Sequence, residues 1–260
     1  MRSQFTVDGI DVHVEGQGAE TIVMLHGWPD TYRLWDATVE ALKSRYRCVR
    51  FTLPGFDAGK EAYTLEELIA FLGEVIERVS PGKKVILLLH DWGCFFGYQF
   101  YARHPETVAR IVGVDIGDPR ATAKTMTGRE KAIMLSYQTW NALAWRIGGS
   151  VGTWMIRAMA RAGRCPSDPA PMSWRMGYPY WLLWFGGRDS FRGQVRRFEP
   201  QCPMLFVYGV RKPLRFHSPQ WTAELAQKPG SAVVEFDTGH WVMSNAPERF
   251  NRVVGEWLAR

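Results

Sequence analysis

Short apolar runs recur along the first 118 residues and return after residue 199, alternating with stretches whose apolar side chains recur every three or four positions. Residues 5–7 and 10–14, split by Asp8-Gly9, carry the alternation and turn pair of an opening β-hairpin. Residues 21–25 form a short apolar strand that stops at His26-Gly27-Trp28-Pro29. A helix is predicted over 35–44, then a strand over 48–52 that ends at Pro54-Gly55. Thr64-Leu65-Glu66-Glu67 is a capping-box pattern, so a helix should begin there and run to residue 79. The strand predicted over 84–89 has an unbroken apolar run from Val85, as expected of a central strand covered on both faces. It turns sharply at His90-Asp91-Trp92-Gly93 into a helix ending near His104-Pro105, and a strand follows over 111–116.

After Gly117-Asp118-Pro119 the alternation stops. Through about residue 188 the pattern is helical, and this stretch holds six of the twelve tryptophans. The strand–helix rhythm resumes with a strand at 204–208, a helix at 219–227, a strand at 232–236 and a helix at 248–259. Strands alternating with helices imply an α/β fold, a doubly wound and mostly parallel sheet, here with a helical insertion between two strands. The expected division is a core of residues 1–118 and 199–260 and a helical lid of residues 119–198.

The 260 residues suffice to bury a large core. Four scattered cysteines lack metal-ligand spacing, so neither disulfides nor a zinc site is expected, and Cys48 and Cys94 read as buried apolar residues. The N-terminus lacks the apolar segment of a signal peptide, and no apolar run reaches the roughly 18 residues of a membrane span. A soluble, cytoplasmic protein is expected, and a homodimer is compatible with the sequence. The net charge of +6 is uneven: residues 119–198 hold 13 Lys/Arg against Glu130, Asp168 and Asp189, leaving 19 basic and 23 acidic residues elsewhere. Such a surface is either a solvated helical face or an electropositive one that draws anionic ligands or an acidic partner. No nucleic-acid-binding motif accompanies it.

Asp91 sits between an apolar strand and a helix, where a sharp elbow aims a side chain at the crevice beyond the sheet's carboxyl edge. The plain alternative for Asp91 is a helix N-cap. Two other segments stand at matching positions: His26-Gly27-Trp28-Pro29 after an earlier strand, and Gly239-His240-Trp241 after the last one. In this order, across nearly the whole chain, the segments resemble the α/β-hydrolase superfamily, and within it the epoxide hydrolase and haloalkane dehalogenase branch. The resemblance implies a hydrolase with Asp91 as nucleophile, His240 as base, and the Trp28 and Trp92 backbone amides as oxyanion hole. Its common Tyr-Gly-x-x-Asp acid is missing: Tyr208-Gly209-Val210-Arg211-Lys212 has a lysine there. Some dehalogenase-like members carry the acid after the next strand beyond the nucleophile, which points to Asp115, with Asp118 as runner-up. A carboxylate in an apolar strand needs a partner, and an imidazolium would supply one.

A carboxylate nucleophile attacking an sp³ carbon leaves an alkyl ester that water can cleave at its carbonyl, which favours substrates opened at such carbons. Small apolar epoxides and halide-bearing compounds fit. Epoxide opening needs a proton donor, and the insertion offers Tyr137, Tyr178 and Tyr180; halide expulsion needs weak N–H donors such as the Trp92 indole. Epoxide hydrolysis is favoured, because tyrosines flank the insertion and the Asn that some dehalogenases carry after His-Gly is Trp28 here. Dehalogenation, with Leu89 and Asp115 pointing its way, is the alternative, and a non-catalytic small-molecule binding protein is a third reading. No cofactor and no metal is implied.

Overall fold

A computed structural model describes residues 2–118, 122 and 124–260; Pro119, on which the insertion was expected to begin, lies outside them. Strands β1 (Arg2–Val7) and β2 (Ile10–Glu15) form the predicted hairpin, with Asp8 and Gly9 both at positive φ as a tight two-residue turn requires. They precede β3 (Thr21–Leu25), α1 (Asp36–Leu42), β4 (Arg47–Phe51), α2 (Leu65–Val79), β5 (Val85–His90), α3 (Trp92–Tyr101) and β6 (Val108–Val114). With β7 (Met204–Gly209) and β8 (Ala232–Phe236), the eight-stranded sheet has the order β1-β2-β4-β3-β5-β6-β7-β8. It is parallel throughout except for the β1–β2 and β2–β4 pairs.

Between β6 and β7 (Met204–Gly209) lie α4 (Gly128–Ile147), α5 (Gly149–Ala162), α6 (Tyr178–Phe185) and α7 (Phe191–Gln194). The chain ends with α8 (Pro219–Ala226), β8 (Ala232–Phe236), α9 (Val242–Asn245) and α10 (Pro247–Leu258). The helix expected over 35–44 divides into a 3-10 turn at Tyr32–Trp35, capped by Thr31, and α1. The strand expected to reach residue 116 ends at Val114, because Asp115 takes a φ of 72° and leaves the ladder.

All six residues of β5 are buried, and their period-two alternation feeds two cores. Val85, Leu87 and Leu89 pack beneath α2, α3 and the insertion, while Ile86 and Leu88 join Trp35, Val39, Val254 and Trp257 on the other face. Helix α2 begins with the complete capping box read from Thr64 and Glu67. The four cysteines are free thiols. Burial on both faces fixes the register of the parallel strands, and with it the level at which their carboxyl ends deliver side chains.

Candidate active site

At the end of β5 the chain reverses through Asp91 with φ 52° and ψ −121°, a left-handed conformation that costs a non-glycine residue on the order of 1–3 kcal/mol. Its side chain caps no amide of α3, so the N-cap alternative fails: the carboxylate turns outward instead. Close approach makes this elbow feasible. A Cβ at Gly93 would run into the carbonyls of Leu25 and His26, and one at Gly27 into the Asp91 side chain.

The Trp28 amide donates to Asp91 Oδ1 at 2.7 Å. That amide is aimed by His26, whose buried ring donates from Nδ1 to the Gly27 carbonyl (2.8 Å) and accepts at Nε2 from Leu53 N–H (2.9 Å). Burial holds His26 at a pKa of about 4, so this neutral tautomer persists. Trp92 is the first residue of α3, where an N–H lacks an intrahelical partner and favours negative charge.

His240 follows β8 and spans two carboxylates. Its Nε2 lies 3.5 Å from Asp91 Oδ2, and its Nδ1 lies 2.5 Å from Asp115 Oδ2. Burial opposes the imidazolium, but the Asp115 and Asp91 carboxylates overcome it and raise His240 to about 9. Asp91 is held below the usual carboxylate range: burial pushes it up, and the hydrogen bond and charge of His240 outweigh that push.

Asp115 is fully buried, and both of its oxygens are engaged. Besides His240, it accepts the Gly209 amide at 3.1 Å and the Lys212 ammonium, both on Oδ1. Burial works against this carboxylate, yet Lys212 and His240 together hold it far below the ordinary range. Lys212 is only 6% exposed. The lysine that stands where a family acid was expected is therefore the counter-ion of the acid on the neighbouring strand. Asp118 is not the partner of His240 Nδ1; its backbone carbonyl accepts from Thr122. Asp237, three residues before His240, pairs with Arg211.

Of the three tyrosines singled out in the sequence, two meet at the site. The hydroxyls of Tyr137 on α4 and Tyr180 on α6 share a short hydrogen bond, and the Trp92 ring packs edge-on against Tyr180 with centroids 5.1 Å apart. Burial first, and then Asp91 beneath Tyr137 and the Tyr137 and Asp91 neighbours of Tyr180, raise both phenols well above their ordinary value, so they are proton donors at neutral pH. Tyr178 does not belong with them. Residues two apart on a helix face different ways, and its hydroxyl is committed to the Pro54 carbonyl at 2.9 Å.

Two cavities open on either side of Asp91. A small one of about 200 Å³ is lined by Trp92, Phe95, Met134, Tyr180 and Leu183. A larger one of about 880 Å³ is lined by Trp28, Met159, Arg164, Lys212 and His240. Asp91, Tyr137 and Phe216 face both, so the carboxylate is reached from either cavity. Among the described residues no cluster of His, Cys, Asp or Glu is built to hold a metal.

Sequence reading missed the polar layer under these groups. Asp30 is buried, accepts from Trp241 Nε1 at 2.9 Å and from Ser167 of the insertion, and burial, partly offset by those bonds, raises it to about 6. His90, held neutral near 3 by burial, donates from Nε2 to the His240 carbonyl at 3.2 Å and fixes the loop that carries the imidazole. His217 is buried against Tyr208 with ring centroids 4.2 Å apart and lines neither cavity.

Residues 22–253 match the Alpha/beta hydrolase family. The chain belongs to that family. This alpha/beta hydrolase is similar to the Mycobacterium tuberculosis protein named "Probable oxidoreductase EphD", 35% identical over 112 residues, or 40% of this chain and 19% of that one. It is also similar to epoxide hydrolase 1 of Caenorhabditis elegans, 26% identical over 108 residues, or 40% of this chain and 26% of that one. The match thus spans well under two thirds of either relative. An epoxide hydrolase from Bacillus megaterium, solved with an inhibitor, superposes with a TM-score of 0.74 over 99% of this chain and 100% of that one at 20% identity, a likeness of fold.

The raised His240 has a consequence for stability. A base whose pKa rises from 6.5 to about 9 on folding adds stability that is complete below pH 6.5 and lost as pH climbs through 9. Urea unfolding should therefore show the wild type losing on the order of 3 kcal/mol between pH 6.5 and 9.5, a loss absent from His240→Gln. Parallel curves for the two proteins would show that the imidazole carries no such charge.

Proposed function

We propose that the protein hydrolyses small apolar epoxides to vicinal diols, with Asp91 as nucleophile and His240 as base. The observation that carries this reading is the Tyr137–Tyr180 hydroxyl pair beside the Asp91 carboxylate. An epoxide oxygen leaves as a strong base and needs an acid at that spot, whereas an ordinary ester does not. The epoxide hydrolases among the relatives and fold neighbours support it.

In this scheme Asp91 Oδ2 bonds to one epoxide carbon as the ring C–O bond breaks. The ring oxygen takes a proton from Tyr137 or Tyr180. Ester formation cancels the Asp91 charge, which removes one of the two carboxylates that hold His240 protonated. The imidazolium gives up its proton to restore the phenol and is left neutral. His240 Nε2 then accepts a proton from water as the water oxygen bonds to Cγ of the ester. Negative charge collects on Oδ1, which already lies at the Trp28 amide, with the Trp92 amide as the second donor. Collapse breaks the Cγ–Oδ2 bond. The departing alkoxide takes the proton of the re-formed carboxyl group, leaving ionised Asp91 and protonated His240 as at the start.

Asp115 and Lys212 act on the imidazole from behind. Asp115 fixes the Nδ1–H tautomer that leaves Nε2 toward the water. Lys212 neutralises much of Asp115, so that His240 can lose its proton once Asp91 is esterified. A second reading, dehalogenation through the same ester, rests on the Trp28 indole: its Nε1 is buried, lacks a hydrogen-bond partner among the described residues and belongs to a residue lining the larger cavity. The Trp92 indole, the other candidate halide donor, packs edge-on against Tyr180. Styrene oxide and a bromoalkane assayed side by side, scored as diol and as free bromide, separate the two.

A single turnover in heavy-oxygen water should leave one heavy oxygen in Asp91, and His240→Gln should accumulate the alkylated Asp91 peptide; product formed with neither mark refutes the ester. Tyr137→Phe and Tyr180→Phe should each slow epoxide opening by about 10², while bromide release, if present, stays unaffected. Lys212→Met should move the acidic limb of the kcat–pH profile up by roughly one unit, because Asp115 then acts on His240 without compensation. Lys212→Arg should keep the limb in place, and an unshifted limb in Lys212→Met removes the lysine from the scheme.

A further inference from the structure

Seven large apolar side chains are exposed among the described residues, and six of them lie in the insertion: Leu135, Leu143, Ile147, Val151, Trp154 and Phe185. Single exposed apolar residues are ordinary on any protein surface. Their concentration here is not, and four of them form one continuous corner. Trp140, Leu143 and Ile147 follow each other at helical spacing on one stripe of α4, and Val151 and Trp154 do the same on α5. The two stripes join where the Trp140 and Trp154 rings meet, with centroids 6.3 Å apart. Trp154 is 60% exposed, and Ile147 and Val151 are each 55% exposed.

The charges around this corner are of one sign. Arg146 adjoins Ile147 and is exposed; Arg161, two turns beyond Trp154 on the same face of α5, is exposed as well. Across residues 128–162 the single acid is Glu130, at the far end of α4. A twofold contact between copies would bring the Arg146 and Arg161 guanidinium groups of both chains together without acids to meet them, which is unfavourable. Aliphatic and indole side chains flanked by arginines, on a convex helical corner, are instead matched by the headgroup region of an anionic bilayer, where apolar groups enter the acyl boundary and cations stay with the phosphates. The same insertion supplies Met134, Tyr137 and Leu183 to the apolar cavity beside Asp91.

We propose that the α4–α5 corner docks this protein on anionic membrane surfaces. It neither spans them nor inserts deeply: no helix among the described residues is long and apolar enough to cross a membrane. Co-sedimentation with vesicles of equimolar phosphatidylcholine and phosphatidylglycerol tests it, with pure phosphatidylcholine vesicles as the comparison. The whole protein should partition onto the anionic vesicles with a blue shift of tryptophan emission, at least roughly tenfold more than onto the neutral ones. About 1 M salt, which shortens the Debye length to about 3 Å, should release most of it. The double variant Ile147→Glu/Trp154→Glu should lose vesicle binding and the blue shift, and Arg146→Glu/Arg161→Glu should lose the preference for the anionic lipid. All four positions are exposed, and an unchanged far-UV circular dichroism spectrum checks folding. Three outcomes overturn the proposal: no wild-type binding to either vesicle, equal binding to both, or a change of oligomeric state in the variants without any vesicle binding, which would make the corner a contact between copies.

Discussion

Four charges of alternating sign, one fully and three largely buried, tie the carboxyl end of the sheet together: Lys212, Asp115, His240 and Asp91. Moving any one of them alone out of water would cost several kcal/mol, and each is offset only by its neighbours in the series. The series sums to zero, which is why an acid of 0% exposure can end an otherwise apolar strand. It also dictates local backbone. Asp91 and Asp115 are both non-glycine residues at positive φ, at the ends of adjacent strands β5 and β6, because each must leave its ladder to turn a carboxylate toward the same imidazole.

The rest of the architecture can be read as support for that arrangement. Parallel strands of fully buried register bring the carboxyl ends of β5, β6 and β7 to one level. Small residues at Gly27 and Gly93 allow the elbow to sit against the β3 loop within hydrogen-bonding range of Trp28. Below, neutral His26 spends both ring nitrogens on the Gly27 carbonyl and the Leu53 amide, and neutral His90 spends Nε2 on the His240 carbonyl, so they add rigidity without adding charge. Asp30 joins this layer to the insertion through Ser167 and Trp241. The helices above the site are thereby fastened to the same loops that hold the imidazole.

The strand–helix rhythm, the capping box at Thr64 and the turn at Asp8-Gly9 were legible because each is a local preference expressed within a few residues. The elbow at Asp91 was legible for the same reason. Asp115 could be favoured over Asp118 in advance, since a carboxylate in an apolar strand demands a partner while one before proline can be explained by a turn. What remained hidden is long-range. Lys212 lies 97 residues from Asp115, and Asp30 lies 137 from Ser167 and 211 from Trp241; no periodicity announces such pairs. Sequence could not divide Tyr178 from Tyr180 either. Both are aromatic residues at the start of one helix, and only the roughly 200° between them decides that one faces Asp91 and the other the Pro54 carbonyl.

Charge balance also explains why a lysine is compatible with a site that, in the proposed mechanism, must release a proton. Without it, the set Asp115, His240 and Asp91 would carry a net negative charge, and the imidazole would stay protonated even after Asp91 had become a neutral ester. With Lys212 present, esterification would leave two cations against one carboxylate, so losing the imidazolium proton restores neutrality in a buried environment where an excess charge is expensive. The proposed base is thus switched on by the preceding step. The lysine that breaks the family's usual acid position is, on this argument, the compensation that makes the acid on the neighbouring strand workable. Relocating a buried carboxylate by one strand requires its counter-charge to be rebuilt in the new place, and Tyr208-Gly209-Val210-Arg211-Lys212 supplies it through one amide and one ammonium on the same oxygen.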